Sequence, residues 1–276
     1  MSLLSAILLG LIQGVTEFLP ISSSGHLAIA EHLLGMSSHI PEFFDVLLHL
    51  GTLLAVFAAY WDDVREMTAE LFRGASDLLH GSIPAPMPPA RRLILLLIVG
   101  TLPLAAVLPV RDAVEGLSGS MYFVAGALLA TGLLLFACDR VKKGRKTEGQ
   151  ATLSDALLVG VGQAIATCPG ISCSGTTIAA GCFAGFERKF AVRFSFLLSI
   201  PAVLGANLLA VRDAVADGIL WGEVPLYLVG VAVAALTGYA CIRLLKTIAA
   251  RGSFGFFTCY CWLVGAITLG LTILQK

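Results

Sequence analysis

Charge is what this chain has least of. Only 13% of its 276 residues are Asp, Glu, Lys or Arg, about half the share of a soluble domain. The 18 basic and 18 acidic residues cancel, so nothing in the charge balance points to nucleic acid, and no such partner is expected. None of the seven cysteines forms a CxxC pair. Most sit in apolar runs and read as small buried hydrophobes. The first 20 residues lack a basic start and contain Gln13 and Glu17, which argues against a signal peptide. Strict polar–apolar alternation is also missing, which excludes a membrane β-barrel. What remains is 57% hydrophobic residues and a mean hydropathy of +0.89. These values predict an all-α, multi-pass membrane protein embedded among bilayer lipids.

Apolar segments fall at about 2–19, 26–36, 43–61, 91–109, 120–138, 153–168, 175–186, 190–211, 224–243 and 254–274. A spanning helix needs roughly 20 apolar residues. Six segments meet that length and predict transmembrane helices. The other four are short and interrupted by Pro, Gly and Ser, and they predict two re-entrant helical hairpins, 2–36 and 153–186. The stretch 62–90 is mixed in charge, ends in Pro84-Ala85-Pro86-Met87-Pro88-Pro89, and reads as a surface helix and loop.

A shift of 150 residues superimposes Gly10 on Gly160, Gln13 on Gln163, and Ile21-Ser22-x-Ser24-Gly25 on Ile171-Ser172-x-Ser174-Gly175. The chain therefore divides into two repeats, 1–139 and 153–276, joined by a basic linker, 140–152. Each repeat has three crossings, so the second is inverted relative to the first. Lys and Arg agree with that topology: 15 fall in loops on one side, while only Arg111, Arg212 and Lys276 fall on the other. The positive-inside rule then puts both termini outside. Hairpin one enters from outside and hairpin two from the cytoplasm.

The two hairpin tips carry the polar chemistry, and such groups at membrane depth mark function. Each tip is a Ser-rich turn leading into a helix: Ser22-Ser23-Ser24-Gly25-His26 and Ser172-Cys173-Ser174-Gly175-Thr176-Thr177. Helix N-termini offer free N–H groups and partial positive charge, so two facing tips suit an anion, phosphate above all. Gln13 and Glu17 lie one turn apart and suggest a bridging divalent cation or a proton-transfer role. His26 suits a general acid/base or a nucleophile. Ser23 or Ser24 suits a nucleophile with His26 as its base. Taken singly, Ser22 or Ser172 reads first as a packing residue. Asp45 and His49 read as interface or lining residues, and His32, His39 and His80 as near the surface.

Gln13-x-x-x-Glu17 with Phe18-Leu19-Pro20-Ile21-Ser22-Ser23-Ser24-Gly25-His26 resembles the first signature of the bacterial undecaprenyl-diphosphatases, the bacitracin-resistance family. Pro169-Gly170-Ile171-Ser172-Cys173-Ser174-Gly175-Thr176-Thr177 resembles their second. The likeness implies removal of the terminal phosphate from undecaprenyl diphosphate, a polyprenyl diphosphate lipid. That reaction regenerates the carrier for peptidoglycan synthesis at the outer face of the bacterial cytoplasmic membrane. The likeness also implies a divalent cation, Mg²⁺ or Ca²⁺. By that likeness Glu17, Ser23 and His26 match functional positions of the first signature, and Ser172, Ser174 and Thr177 match those of the second. Taken with the reading of the tips, the catalytic candidates are Glu17, Ser23 and His26, the cation candidates Glu17 and Gln13, and the phosphate-binding candidates Ser22, Ser24, Ser172, Cys173, Ser174, Gly175 and Thr177.

One position departs from the family pattern Pro-Gly-x-Ser-Arg-Ser-Gly. Cys173 stands where an arginine is expected. Arginine would clamp a diphosphate with its planar fork, and a thiol supplies no cation. The residues allow a weakened enzyme, a substitute cation such as a metal ion or Arg193, or an engineered substitution. They also allow a transporter or flippase for a polyprenyl phosphate, because inverted repeats with broken helices are transporter architecture. Gly- and Ala-rich helix faces permit a homodimer.

Overall fold

The computed structural model describes residues 1–33, 42–81, 86–217 and 221–275. Most of the described residues are helical, with one isolated bridge between Lys146 and Phe186 and no strand among them. His39 and the end of the first predicted hairpin, 34–36, lie outside them, as do Pro84, Ala85 and Lys276.

Local chemistry sets where the short helices start and stop. Helix α1 (Leu3–Phe18) begins at Ser2, whose side chain accepts from Ser5 N, and it stops with Leu19 extended ahead of Pro20, as a pre-proline residue prefers. Helix α2 covers Ser23–Leu33. Helix α8 (Leu153–Ile165) opens with a reciprocal cap between Thr152 and Asp155, and α9 (Cys173–Phe183) starts behind a Ser172 cap. These capped side chains take up orphan amides at each start. Asp155 also receives Lys146 Nζ at 2.8 Å. Burial pushes its carboxyl up, but Lys146 and Thr152 outweigh that and leave it below the ordinary carboxylate range.

The longer helices are α3 (Glu42–Ala59), α4 (Trp61–His80), α5 (Pro89–Thr101), α7 (Met121–Arg140), α10 (Arg188–Asp217), α11 (Val224–Arg251) and α12 (Gly255–Leu274), with a short α6 at Arg111–Glu115. Among the described residues, five spans are long and apolar enough to cross a membrane, and a sixth is reached if α3 and α4, bent by 86°, count as one. The expected helix over 91–109 stays α-helical only to Thr101; beyond it the chain tightens into 3-10 turns containing Pro103 and Pro109. Proline has no N–H to donate, so the α ladder cannot continue there. Helix α4 turns Glu70 and Asp77 onto Arg91 (2.6 Å each) and leaves Phe72 and Leu79 exposed.

Lipid is as apolar as leucine, so membrane helices associate through close packing. Helix α1 packs on α11, and α8 packs on α5. Both contacts are backbone against backbone. A Cβ on Gly10 would meet Gly230 O at 2.5 Å, and one on Gly160 would meet Gly100 O at 2.1 Å. Only glycine fits at either crossing. Helix α7 packs on α12, and α3 on both α10 and α11. The buried core groups Phe18, Phe194 and Phe196 with Leu93, Leu135 and Leu197. This scaffold brings residues 19–26 against residues 169–175.

Candidate functional site

The first tip turns at Ser22. Its φ of 72° is left-handed, a conformation costing a non-glycine residue about 1–3 kcal/mol. Several bonds hold it there. Ser22 Oγ accepts from Gly25 N at 3.2 Å, and its carbonyl accepts from His26 N at 3.2 Å and His26 Nδ1 at 2.7 Å. The second tip makes the same cap without that strain. Ser172 has φ −71° and accepts from Gly175 N at 3.0 Å, while Gly170 takes the left-handed position at φ 89°.

The tips are bonded to each other. Ser24 Oγ accepts from Gly170 N at 3.3 Å, and Ser174 Oγ donates to Leu19 O at 3.3 Å. Thr131 on α7 fastens the second tip, donating to Gly170 O (3.2 Å) and accepting from Ser172 N (3.1 Å). The first two amides of α2 and of α9 have no partner within their own helix, which leaves two donor pairs beside the joined turns.

A carboxylate sits at the centre. Glu17 Oε2 accepts from Ser23 Oγ at 2.5 Å and from Gln13 Nε2 at 3.0 Å. His49 Nε2 lies 3.6 Å from the same oxygen, and His49 Nδ1 donates to Asp45 O at 2.8 Å. Gln13 is fully buried, and its Oε1 has no hydrogen-bond partner.

The structure therefore gathers Gln13, Glu17, Ser22, Ser23, Ser24, Ser172, Ser174 and Gly175 in one place. Cys173 is exposed, with its thiol donating to Ala166 O at 3.1 Å. Thr177 points elsewhere, bonding Cys173 O at 2.8 Å and Ser195 on α10. The structure bears on two alternatives that the sequence left open. Ser23 Oγ donates to Glu17, while His26 Nδ1 donates to Ser22 O and its Nε2 lies 2.9 Å from Tyr260 OH; the structure pairs Ser23 with Glu17 rather than with His26. Arg193 does not replace the missing arginine, because Asp63 and Glu148 hold its guanidinium among Pro89 and Leu93.

Two residues, Thr131 and Tyr260, escaped the sequence reading, and His49 was read only as an interface or lining residue. His49 was visible as one turn from Asp45, but nothing local tied it to Glu17. Thr131 and Tyr260 sit inside long apolar helices and carry no pattern of their own. An apolar trough of about 360 Å³ also lies nearby, lined by Pro103, Val107 and Val110 on one side and Val161, Ile165 and Cys168 on the other. It starts at Cys168, two residues before the second tip's turn.

A family model described as "Bacitracin resistance protein BacA" matches residues 6–267. Among similar proteins, the undecaprenyl-diphosphatase of Alkaliphilus metalliredigens is 38% identical over 275 residues, covering 99% of this chain and all of the relative. That of Syntrophotalea carbinolica is 41% identical over 273 residues, at 99% and 100% coverage. That of Methanosphaera stadtmanae is 38% identical over 278 residues, at 99% of both chains. This chain belongs to the bacitracin resistance protein family.

Proposed function

We propose that this chain is an undecaprenyl-diphosphatase: it hydrolyses undecaprenyl diphosphate to undecaprenyl phosphate and phosphate, recycling the carrier lipid for peptidoglycan synthesis and conferring bacitracin resistance. Family membership and the printed activity of its relatives support this. The observation that carries it is Ser23 Oγ held on the Glu17 carboxylate beside two Ser-capped helix starts. Glu17 takes the Ser23 proton as Oγ bonds to the terminal phosphorus, and the bond from that phosphorus to the bridging oxygen breaks. His26 gives its proton to the departing undecaprenyl phosphate. Water then bonds to the phosphorus of the phosphoserine as its bond to Oγ breaks; neutral His26 takes a proton from the water and Glu17 returns its proton to Ser23 Oγ, which releases phosphate and restores the starting states. The free amides at Ser23–Ser24 and Cys173–Ser174 receive the charge of the phosphoryl oxygens. The trough beginning at Cys168 offers the prenyl chain an apolar path.

Glu17 and Gln13 would hold the divalent cation. The buried, unpartnered Gln13 Oε1 is a hard oxygen of the kind Mg²⁺ and Ca²⁺ take. Among the described residues no group of three His, Cys, Asp or Glu forms a full cage, so phosphate oxygens and water would complete the shell. When bound, such an ion neutralises charge on the diphosphate.

The same reading orients the protein. The halves 1–139 and 153–276 form an inverted repeat with hairpins at α1–α2 and α8–α9. Matched contacts support it, Gly10 on Gly230 and Gly160 on Gly100. The 15-to-3 split of Lys and Arg supports a cytoplasmic basic side, with both termini and the site toward the outer face. The protein would reside in the bacterial cytoplasmic membrane, and its small-residue faces allow a homodimer.

Purified protein in vesicles containing undecaprenyl diphosphate and Mg²⁺ or Ca²⁺ should release phosphate. No release with either ion, together with lipid movement between leaflets, would replace this reading with a flippase.

A further inference from the structure

We infer that Tyr260 is a positioning residue that holds His26 in place and favours its protonated form as the proton donor. This rests on the phosphatase reading and deepens it. Tyr260 sits on α12, far along the chain from the first tip, yet its hydroxyl lies 2.9 Å from His26 Nε2. The two ring planes are nearly parallel, 11° apart with centroids at 5.6 Å.

Hydrogen-bond direction fixes the tautomer. A carbonyl only accepts, so the 2.7 Å contact from Nδ1 to Ser22 O puts a hydrogen on Nδ1. Nε2 is therefore the nitrogen that gains and loses the exchangeable proton. A tyrosine hydroxyl both donates and accepts. It gives its hydrogen to neutral Nε2 and receives one from protonated Nε2, so the ring stays put in both states. The two bonds differ in strength, because a charge-assisted bond is roughly twice as strong as a neutral one. Tyr260 thus favours the imidazolium, the form that protonates a leaving oxygen.

The surroundings leave this role to Tyr260. Helix α2 packs on α1, α7 and the turn at 116–119. Of these, α1 offers Glu17, which holds Ser23, and α7 offers Tyr122; the turn carries no titratable side chain. Helix α12 adds Cys261, which faces Pro20 O at 3.7 Å. Further along α2 itself lie Glu31 and His32. Among the described residues, Tyr260 alone supplies a side-chain hydrogen bond to the imidazole.

Tyr260→Phe keeps the ring and removes the hydroxyl. In the full chain in vesicles, kcat for phosphate release should fall about 10-fold with KM within about twofold. The alkaline limb of the kcat–pH profile should move to lower pH by about half a unit. In a His26→Gln background the same change should cost less than about twofold. A profile that superimposes on the parent's, or moves to higher pH, overturns the proposal. So does full additivity with His26→Gln. Turnover is not the sole readout: the His26 ring can be titrated by nitrogen-15 NMR in labelled protein. Its midpoint should fall in Tyr260→Phe even if no phosphate is released, and an unmoved midpoint overturns the proposal. Absent phosphate release from the parent with a shifted midpoint would instead count against the phosphatase reading alone.

Discussion

The two tips share a frame and differ in chemistry. At a 150-residue step, Ser22 matches Ser172 and Gly25 matches Gly175, and both caps form. The same step matches Glu17 with Thr167, Ser23 with Cys173, His26 with Thr176 and His49 with Ser199. Every carboxylate and imidazole is therefore on the first side. The second tip is left with backbone amides, hydroxyls and one thiol. Strain is divided the same way: the first tip places a serine at positive φ, and the second places a glycine there. The matched caps thus offer the same amide donors in both tips, and the carboxylate and imidazoles are confined to the first.

The contrast can be broken most forcefully at the carboxylate. Glu17→Gln should lower kcat for phosphate release about 10³-fold, whereas Thr167→Val at the matching position should cost no more than about threefold. Equal losses would mean that the second tip shares the acid–base chemistry. Next in size is Cys173→Arg, which restores a cation where a diphosphate would lie and should raise the rate on the order of 10²-fold. An unchanged or lower rate would show that the amides alone suffice.

The matched glutamines give a finer test. Both Gln13 Oε1 and Gln163 Oε1 are buried without a partner, yet only Gln13 lies beside a carboxylate. Gln13→Leu should raise the Mg²⁺ or Ca²⁺ concentration for half-maximal activity about 10-fold, and Gln163→Leu should leave it unchanged. The smallest effect concerns the helix starts. Ser2→Ala and Thr152→Ala should each cost about 1 kcal/mol of stability. The second cap itself contains a titrating group, whereas the Ser2 hydroxyl does not titrate. The depressed Asp155 carboxyl contributes stability that is fully present above its unfolded value of about 3.9 and is lost as pH falls through the lower folded value. The gap in unfolding midpoint between parent and Asp155→Asn should therefore close as pH falls from about 5 toward 3, while the Ser2→Ala gap should not.

Much of this was legible because membranes make polar residues conspicuous. Gln13, Glu17, the serines and His26 stood out against apolar neighbours, and the helix starts at Ser23 and Cys173 follow from caps visible in the chain. Two kinds of information were not local. The pairing of Ser23 with Glu17 depends on the left-handed turn at Ser22, which no residue type there announces. The approaches of His49, Thr131 and Tyr260 depend on how long helices pack, and hydropathy is blind to that. The break after Thr101 was signalled by Pro103 and Pro109, but the continuous apolar run masked it.

The glycine crossings carry a mechanical consequence. Gly10 and Gly230 belong to different halves of the chain, and so do Gly160 and Gly100. At these two points each half thus meets the other through bare backbone, which leaves little room for sliding. Carrying a lipid by rocking one half against the other would have to open both clasps at once. A fixed vice around two tips suits a machine that holds its substrate still while a bond is cut.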